Sequence, residues 1–267
     1  MEHNSGPGAA RQKGIESTNN PYIMFIDTGD CVASKKILSK AVKDIATHSQ
    51  AYVLVYTWWN EEDRSIIKKD ITLLHSKIIS REFIELYHLR FNTTRECSYS
   101  NEDRGFMAPL KLALEHIGAY DKNQRVCYNN NILYKYLLDP DSITHGDNGS
   151  FYYYKHIPGL SHNAEHIVNI CRENGLHPNL PMHLITHYLI YLYECYLRCA
   201  KEHPDNLQDN LNALKYFYKN AYKQYEKINE KTLNYQYSKA VPSLLKYSSD
   251  IVPRININRF IGEIKND

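Results

Sequence analysis

Between Lys35 and Thr47 the apolar residues Ile37, Leu38, Ala41, Val42 and Ile45 recur at helical spacing, which predicts an amphipathic helix. Ahead of it, residues 9–18 read as a short polar helix. Residues 22–26, YIMFI, read as a short and wholly apolar strand that ends in two aspartates, Asp27 and Asp30. Residues 51–59, AYVLVYTWW, form a second β-rich run, closed by the charged turn NEED. The opening of the chain thus alternates helix, strand, helix, strand, the pattern of a mostly parallel sheet covered by helices.

The alternation loosens after Arg64. DITLLHSKIISREFIELYHLRF combines a short strand with a helix, and FMAPLKLALEHIGAY is a further helix with Glu102 and Asp103 just ahead of it. RVCYNNNILYKYLL and SFYYYKHI read as strands, separated by the breaker-rich DPDSITHGDNGS. From Ser161 onward the pattern is helical: HNAEHIVNICREN, HLITHYLIYLYECYLRCAKEH and LNALKYFYKNAYKQYEKI, punctuated by Gly175, Pro178, Pro181 and Pro204. The expected organisation is an α/β region over residues 1–162 and a C-terminal helical region over residues 163–267, with no internal repeat.

Composition narrows this picture. The 267 residues can build one large domain or two small ones, and 43% hydrophobic residues suffice for a core. A net charge of +2 gives no mark of a nucleic-acid or acidic-membrane binder. The 23 tyrosines suit extensive interfaces, a sugar-contacting cleft, or simply an AT-rich genome. Six cysteines without a CxxC pair or zinc spacing read as free, mostly buried thiols of a reducing compartment. No apolar segment resembles a signal peptide, and LITHYLIYLYECYL is too short and polar to span a bilayer. The expected location is cytoplasmic.

Three constellations could carry chemistry. In DTGD, Gly29 permits a sharp bend that would turn Asp27 and Asp30 to one side, as hard ligands for Mg²⁺ or Mn²⁺; Asp and Gly also suit an ordinary strand-ending turn. In SNEDRGF, Glu102 and Asp103 fit either a helix N-terminus or a general base with its companion, with Arg104 beside them to hold the companion acid or an anionic group. In SFYYYKHIPGLSH, aromatic and basic residues either line a cleft, with Lys155 and His156 near phosphate oxygens, or form an edge strand. His75 and Lys77 in LLHSKIISREF pose the same choice, and a lone histidine is more often structural.

The order of these pieces resembles the family 2 glycosyltransferases of GT-A fold. That family carries a G-P-x-x-A-R-N-x-G-I segment, a helix, a strand and an aspartate motif, D-x-D or D-S-G-D. GPGAARQKGI and YIMFIDTGDCV follow that layout, with Gln12 in place of Asn. HSKIISREF looks like the family's K-hydrophobic-x-R-x-F segment, NEDRGF like its E-D pair, and FYYYKHIPGLSH like its aromatic strand and Ser turn. The resemblance covers roughly residues 6–162. It implies a GT-A sheet for nucleotide-diphosphate sugars and transfer to an acceptor hydroxyl with inversion. Asp27 and Asp30 would hold Mn²⁺ or Mg²⁺ and the donor diphosphate. Arg11, Asp27, Lys77 and His156 would bind the nucleotide-sugar donor. Asp103 would be the catalytic base, supported by Glu102. Gly29 stands where the family has its middle aspartate.

In the family, a first strand, a helix and further strands precede the GPxxAR segment, whereas Gly6 lies at the start of this sequence. The resemblance therefore implies a partial GT-A domain lacking the N-terminal nucleotide-binding half. A partner chain could supply that half, the fragment could be repurposed, or the sequence could be truncated. A sheet so opened would expose an unpaired edge and favour oligomers. The alternative to a split enzyme is an inactive glycosyltransferase-like domain serving as a binding or structural subunit of a viral or other multi-protein assembly, with the tyrosine-rich helices as interface.

Overall fold

The computed structural model describes residues 5–97, 101–120, 125–138, 153–177, 179–226, 230–244 and 257–265. The element order is α1 (Gly6–Glu16), β1 (Tyr22–Ile23), β2 (Cys31–Val32), α2 (Lys35–Thr47), β3 (Val53–Asn60), β4 (Ser65–Ile67) and β5 (Lys77–Ser80). It continues with α3 (Arg81–Leu86), α4 (Glu102–His116) and β6 (Val126–Tyr136). The helices α5 (Tyr153–Glu173), α6 (Leu180–Glu202), α7 (Leu207–Phe217), α8 (Glu230–Leu244) and α9 (Ile257–Lys265) follow.

The strands form one sheet in the order β1-β5-β3-β6-β2, with β4 also on β3. It is mixed, which corrects the expectation of a mostly parallel sheet: only β3 and β6 run parallel, and every other ladder is antiparallel. The connections explain this. Glu61–Arg64 returns the chain directly from β3 into β4, and a link that short cannot make a parallel crossover. The long passage through α3 and α4 can, and it delivers β6 parallel to β3. The β3–β6 register shifts around Thr57, where Asn131 N–H donates to Asn129 Oδ1 at 2.9 Å.

β3 is buried on both faces and divides the core. Val53 and Val55 join a large cluster with the helices from α4 onward, while Leu54 and Tyr56 join Ile37 and Ala41 of α2 on the other face. Two expectations shift in detail. YIMFI enters the ladder only at Tyr22 and Ile23, because β5 is its partner on one side and no strand lies on its other side among the described residues. On α2 the buried stripe narrows to Ile37 and Ala41, leaving Leu38 42% and Val42 66% exposed.

The expected strand over SFYYYKHI is instead helix from Tyr153; residues 150–152 and the turn before them lie outside the described residues. Ile157, Leu160, Ala164, Ile167, Val168 and Cys171 are all buried at helical spacing, so that one face meets α4, α6 and α7. This periodicity outweighs the β preference of the tyrosines. α5 runs unbroken through residues 162 and 163. No helix among the described residues is long and apolar enough to cross a membrane.

Candidate active site

Asp27 and Asp30 lie on the turn between β1 and β2. The Asp30 amide donates to the Asp27 carbonyl at 3.1 Å, and Gly29 has φ +97, a value that a side chain would strain. The turn brings the two carboxylates together, and His75, from the loop before β5, completes the group. Their ligand atoms all lie within 4.8 Å of one another. Asp30 is oriented by the Tyr134 hydroxyl of β6, which donates to its Oδ2, and by the Leu137 amide, which donates to Oδ1 at 2.8 Å. The His75 ring sits 5.1 Å from both Trp58 and Tyr134. Burial holds its pKa below the ordinary histidine value, against the opposing pull of Asp27 and Asp30, so the imidazole is neutral and able to ligate. The two carboxylates are hard oxygen donors of the kind Mg²⁺ and Mn²⁺ prefer, and the imidazole adds a nitrogen donor to the group.

Arg11, in the middle of α1, joins this turn to the start of α4. Its guanidinium reaches Asp27 Oδ1 at 2.5 Å and Glu102 Oε1 at 2.5 Å, and lies 5.9 Å from the Phe91 ring centroid. Its pKa is raised because the attraction of the two carboxylates outweighs the opposing and largest single influence, burial. Phe91 stacks on Phe106 of α4 at 4.4 Å and takes Phe25 edge-on at 5.4 Å. Gln12 fixes the backbone at the same point, its Oε1 accepting the Phe91 amide at 3.0 Å. Gly8 allows α1 this close, since a Cβ there would stand 2.9 Å from Glu102 Cβ.

Asp103 follows Glu102 in the first turn of α4. Burial raises its pKa first, the Glu102 charge raises it further, and Arg104 and Arg11 oppose the shift. Its Oδ1 accepts the Arg104 amide at 2.8 Å. Asn101, with φ +64, precedes the helix and donates through Nδ2 to His156 Nδ1 at 2.9 Å. His156 is held neutral, its pKa lowered to about 4 by burial and then by Arg104. The buried Asn163 of α5 donates to the Asn101 carbonyl, and its approach needs Gly105, where a Cβ would fall 2.4 Å from Asn163 Oδ1.

Four of the residues singled out from sequence, Arg11, Asp27, Asp30 and Glu102, are linked through the Arg11 guanidinium or the aspartate turn; Asp103 follows Glu102 in the first turn of α4, and His156 lies at the N-terminus of that helix, bonded to Asn101. Lys77 sits apart: its side chain is fully buried, its Nζ donates to the His75 carbonyl at 2.8 Å and meets Asp70 at 3.5 Å. Burial lowers its pKa to about 8, with Asp70 opposing. It anchors the loop that presents His75. Lys155 has its side chain outside the described residues, and His162 stacks on Tyr216 at 4.1 Å. Sequence reasoning missed Tyr134, although NILYKY alternates and puts Tyr134 and Tyr136 on one face of β6. It left His75 open between a functional and a structural role, because nothing in the sequence ties residue 75 to residues 27 and 30.

Residues 1–104 match the family model of glycosyl transferase family 2. The matched stretch ends one residue past Asp103 and so contains every group linked by Arg11. The family 2 resemblance drawn from the order of motifs therefore holds over this part of the chain. Among solved structures, the chain is similar to the crystal structure of S. aureus TarS 1-349, at 17% identity and a TM-score of 0.50, with 94% of this chain and 74% of that chain covered. The crystal structure of S. aureus TarS matches at 17% identity and a TM-score of 0.48, covering 92% of this chain and 43% of that one. The first likeness is one of fold, and it agrees with a GT-A sheet followed by a helical region. No curated protein matches the chain.

Proposed function

We propose that the protein is a metal-assisted, inverting glycosyltransferase that moves a sugar from a nucleotide-diphosphate donor to an acceptor hydroxyl. The observation that carries this reading is the double contact of Arg11, which ties the Asp27–Asp30–His75 group to the Glu102–Asp103 pair. A cation-holding set and a raised carboxylate base are thereby fixed in one frame, on the stretch that matches family 2.

Asp27, Asp30 and His75 would hold Mn²⁺ or Mg²⁺, which when bound neutralises charge on a leaving diphosphate. Asp103 takes the proton of the acceptor hydroxyl. The acceptor oxygen then bonds to the anomeric carbon as the bond to the diphosphate oxygen breaks, and the diphosphate leaves with the electron pair. Glu102 keeps the Asp103 carboxyl basic and is itself held by Arg11. Tyr134 and Lys77 are positioning residues for Asp30 and His75. In this reading residues 1–162 carry the transfer chemistry and residues 163–267 buttress α4 through α5. A partner fits the same reading: the outer edge of β1, with Ile26 exposed just past it in the chain, can accept a chain that brings further strands.

Calorimetric titration of UDP and of UDP-sugars, with and without Mn²⁺, tests the reading. Binding that requires Mn²⁺ and is lost in Asp30→Asn is expected, together with Asp103→Asn that binds donor but has lost turnover. No binding under either condition would instead favour a non-catalytic domain. Equal loss of binding and turnover in Asp103→Asn would remove its role as base.

A further inference from the structure

Along α4, Arg104, Met107, Ala108, Lys111 and Leu112 recur at three- and four-residue spacing and share one stripe. α6 presents a matching stripe of Leu180, His183, Leu184, His187 and Tyr188. The two stripes line a cavity of about 840 Å³, to which Thr72, Leu73 and His177 also contribute. That volume falls in the range of small-molecule sites.

The character of the lining is mixed in a specific way. Met107, Leu112 and Tyr188 are buried and make an apolar base. The groups around it are basic: Arg104, Lys111 and the imidazoles of His116, His177, His183 and His187. Glu115 is the one carboxylate among the described residues that line the cavity, and it is already paired with Lys111 at 3.6 Å. No carboxylate forms an ion pair with Arg104 among the described residues. Its guanidinium lies 5.6 Å from the Tyr191 ring centroid and so turns toward α6. Arg104 therefore brings to this groove a positive charge that no lining carboxylate among the described residues pairs with.

We propose that the groove between α4 and α6 binds a small anionic amphiphile, with its charged head among Arg104, Lys111 and His187 and its apolar body along Met107, Leu112 and Leu184. The closeness of Arg104 to His187 agrees with this. Burial first, and then the Arg104 charge, hold the His187 pKa below its ordinary value, and an anion between them would relieve that repulsion. The groove lies along α4 beyond the Asp103 turn, and its occupancy needs no donor sugar or metal.

The test is calorimetric titration of the full chain with three probes: octyl phosphate below its micellar concentration, octyl glucoside and inorganic phosphate. Octyl phosphate is expected to bind about tenfold more tightly than either other probe, since each of those offers only half of the recognition. Lys111→Gln and His187→Gln should each weaken octyl phosphate by about fivefold, and Lys111→Arg should restore it. Lys111 has a 42% exposed side chain, so its replacement leaves the fold in place. Leu184→Asp should remove octyl phosphate binding. Equal affinity for octyl glucoside would overturn the anionic head, and equal affinity for inorganic phosphate would overturn the apolar body. Octyl phosphate binding unchanged in all the weakening variants would put the ligand elsewhere.

Discussion

At the scale of single residues, one guanidinium holds two carboxylates to which the proposed reaction gives different roles. The Arg11 side chain is 14% exposed and touches Asp27 of the proposed cation group and Glu102 beside the proposed base. The Glu102 charge beside Asp103 disfavours ionisation of the Asp103 carboxyl. A base must be ionised to work, and raising its pKa moves the acid limb of activity above the usual aspartate range. Glu102→Gln removes the charge that disfavours Asp103 ionisation, after burial the second cause of its shift. The acid limb of the kcat/KM profile should therefore move to lower pH in this variant. A limb that stays in place would show that another group controls it.

At the scale of elements, the position of Asp103 is set by how α4 is held at its first turn. α1 closes on it through Gly8, and α5 closes on it through Gly105 and Asn163. A methyl group at 105 would meet the Asn163 amide at 2.4 Å, and Asn163 is fully buried, so the amide cannot swing into solvent. Gly105→Ala should cost about 2 kcal/mol by overpacking and should lower kcat more than donor affinity, because α4 shifts while the aspartate turn does not. Chemical denaturation and steady-state kinetics check the two parts. A variant as stable as the parent would mean that α5 yields at no cost. In the sequence, SNEDRGF reads as a helix start with adjacent acids. That this start is clamped by an asparagine far along the chain is not readable there, because Asn163 falls in a helix whose own pattern reports only a buried face.

At the scale of the whole molecule, the sheet ends at β1 in a strand of two residues with no strand beyond it among the described residues. Just past it in the chain, Ile26 is 43% exposed. Such an edge invites pairing with another chain. Light scattering should find self-association of the isolated chain, reduced in Ile26→Lys. A monodisperse monomer would count against an edge that seeks a partner.

The sequence by itself determined the elements with strong local pattern: α1, the span of α2, β3, α4 and the helical run from Ser161 onward. The residues proposed for the site, Asp27, Asp30, Glu102 and Asp103, were legible as motifs because a turn glycine and a helix start are local features. Only the tertiary structure decided the rest. Sheet direction follows from connection length and packing rather than from strand composition, so the β3–β4 return made the sheet mixed. Tyr153–Ile157 became helix because its buried neighbours recur every third or fourth residue over the following turns. His75 and Tyr134 became partners of the aspartates, and Arg11 became the link to Glu102, through contacts between residues as far as 107 positions apart. Contacts of that span leave no periodic trace, since each residue satisfies its own element's pattern equally well whatever lies across the sheet.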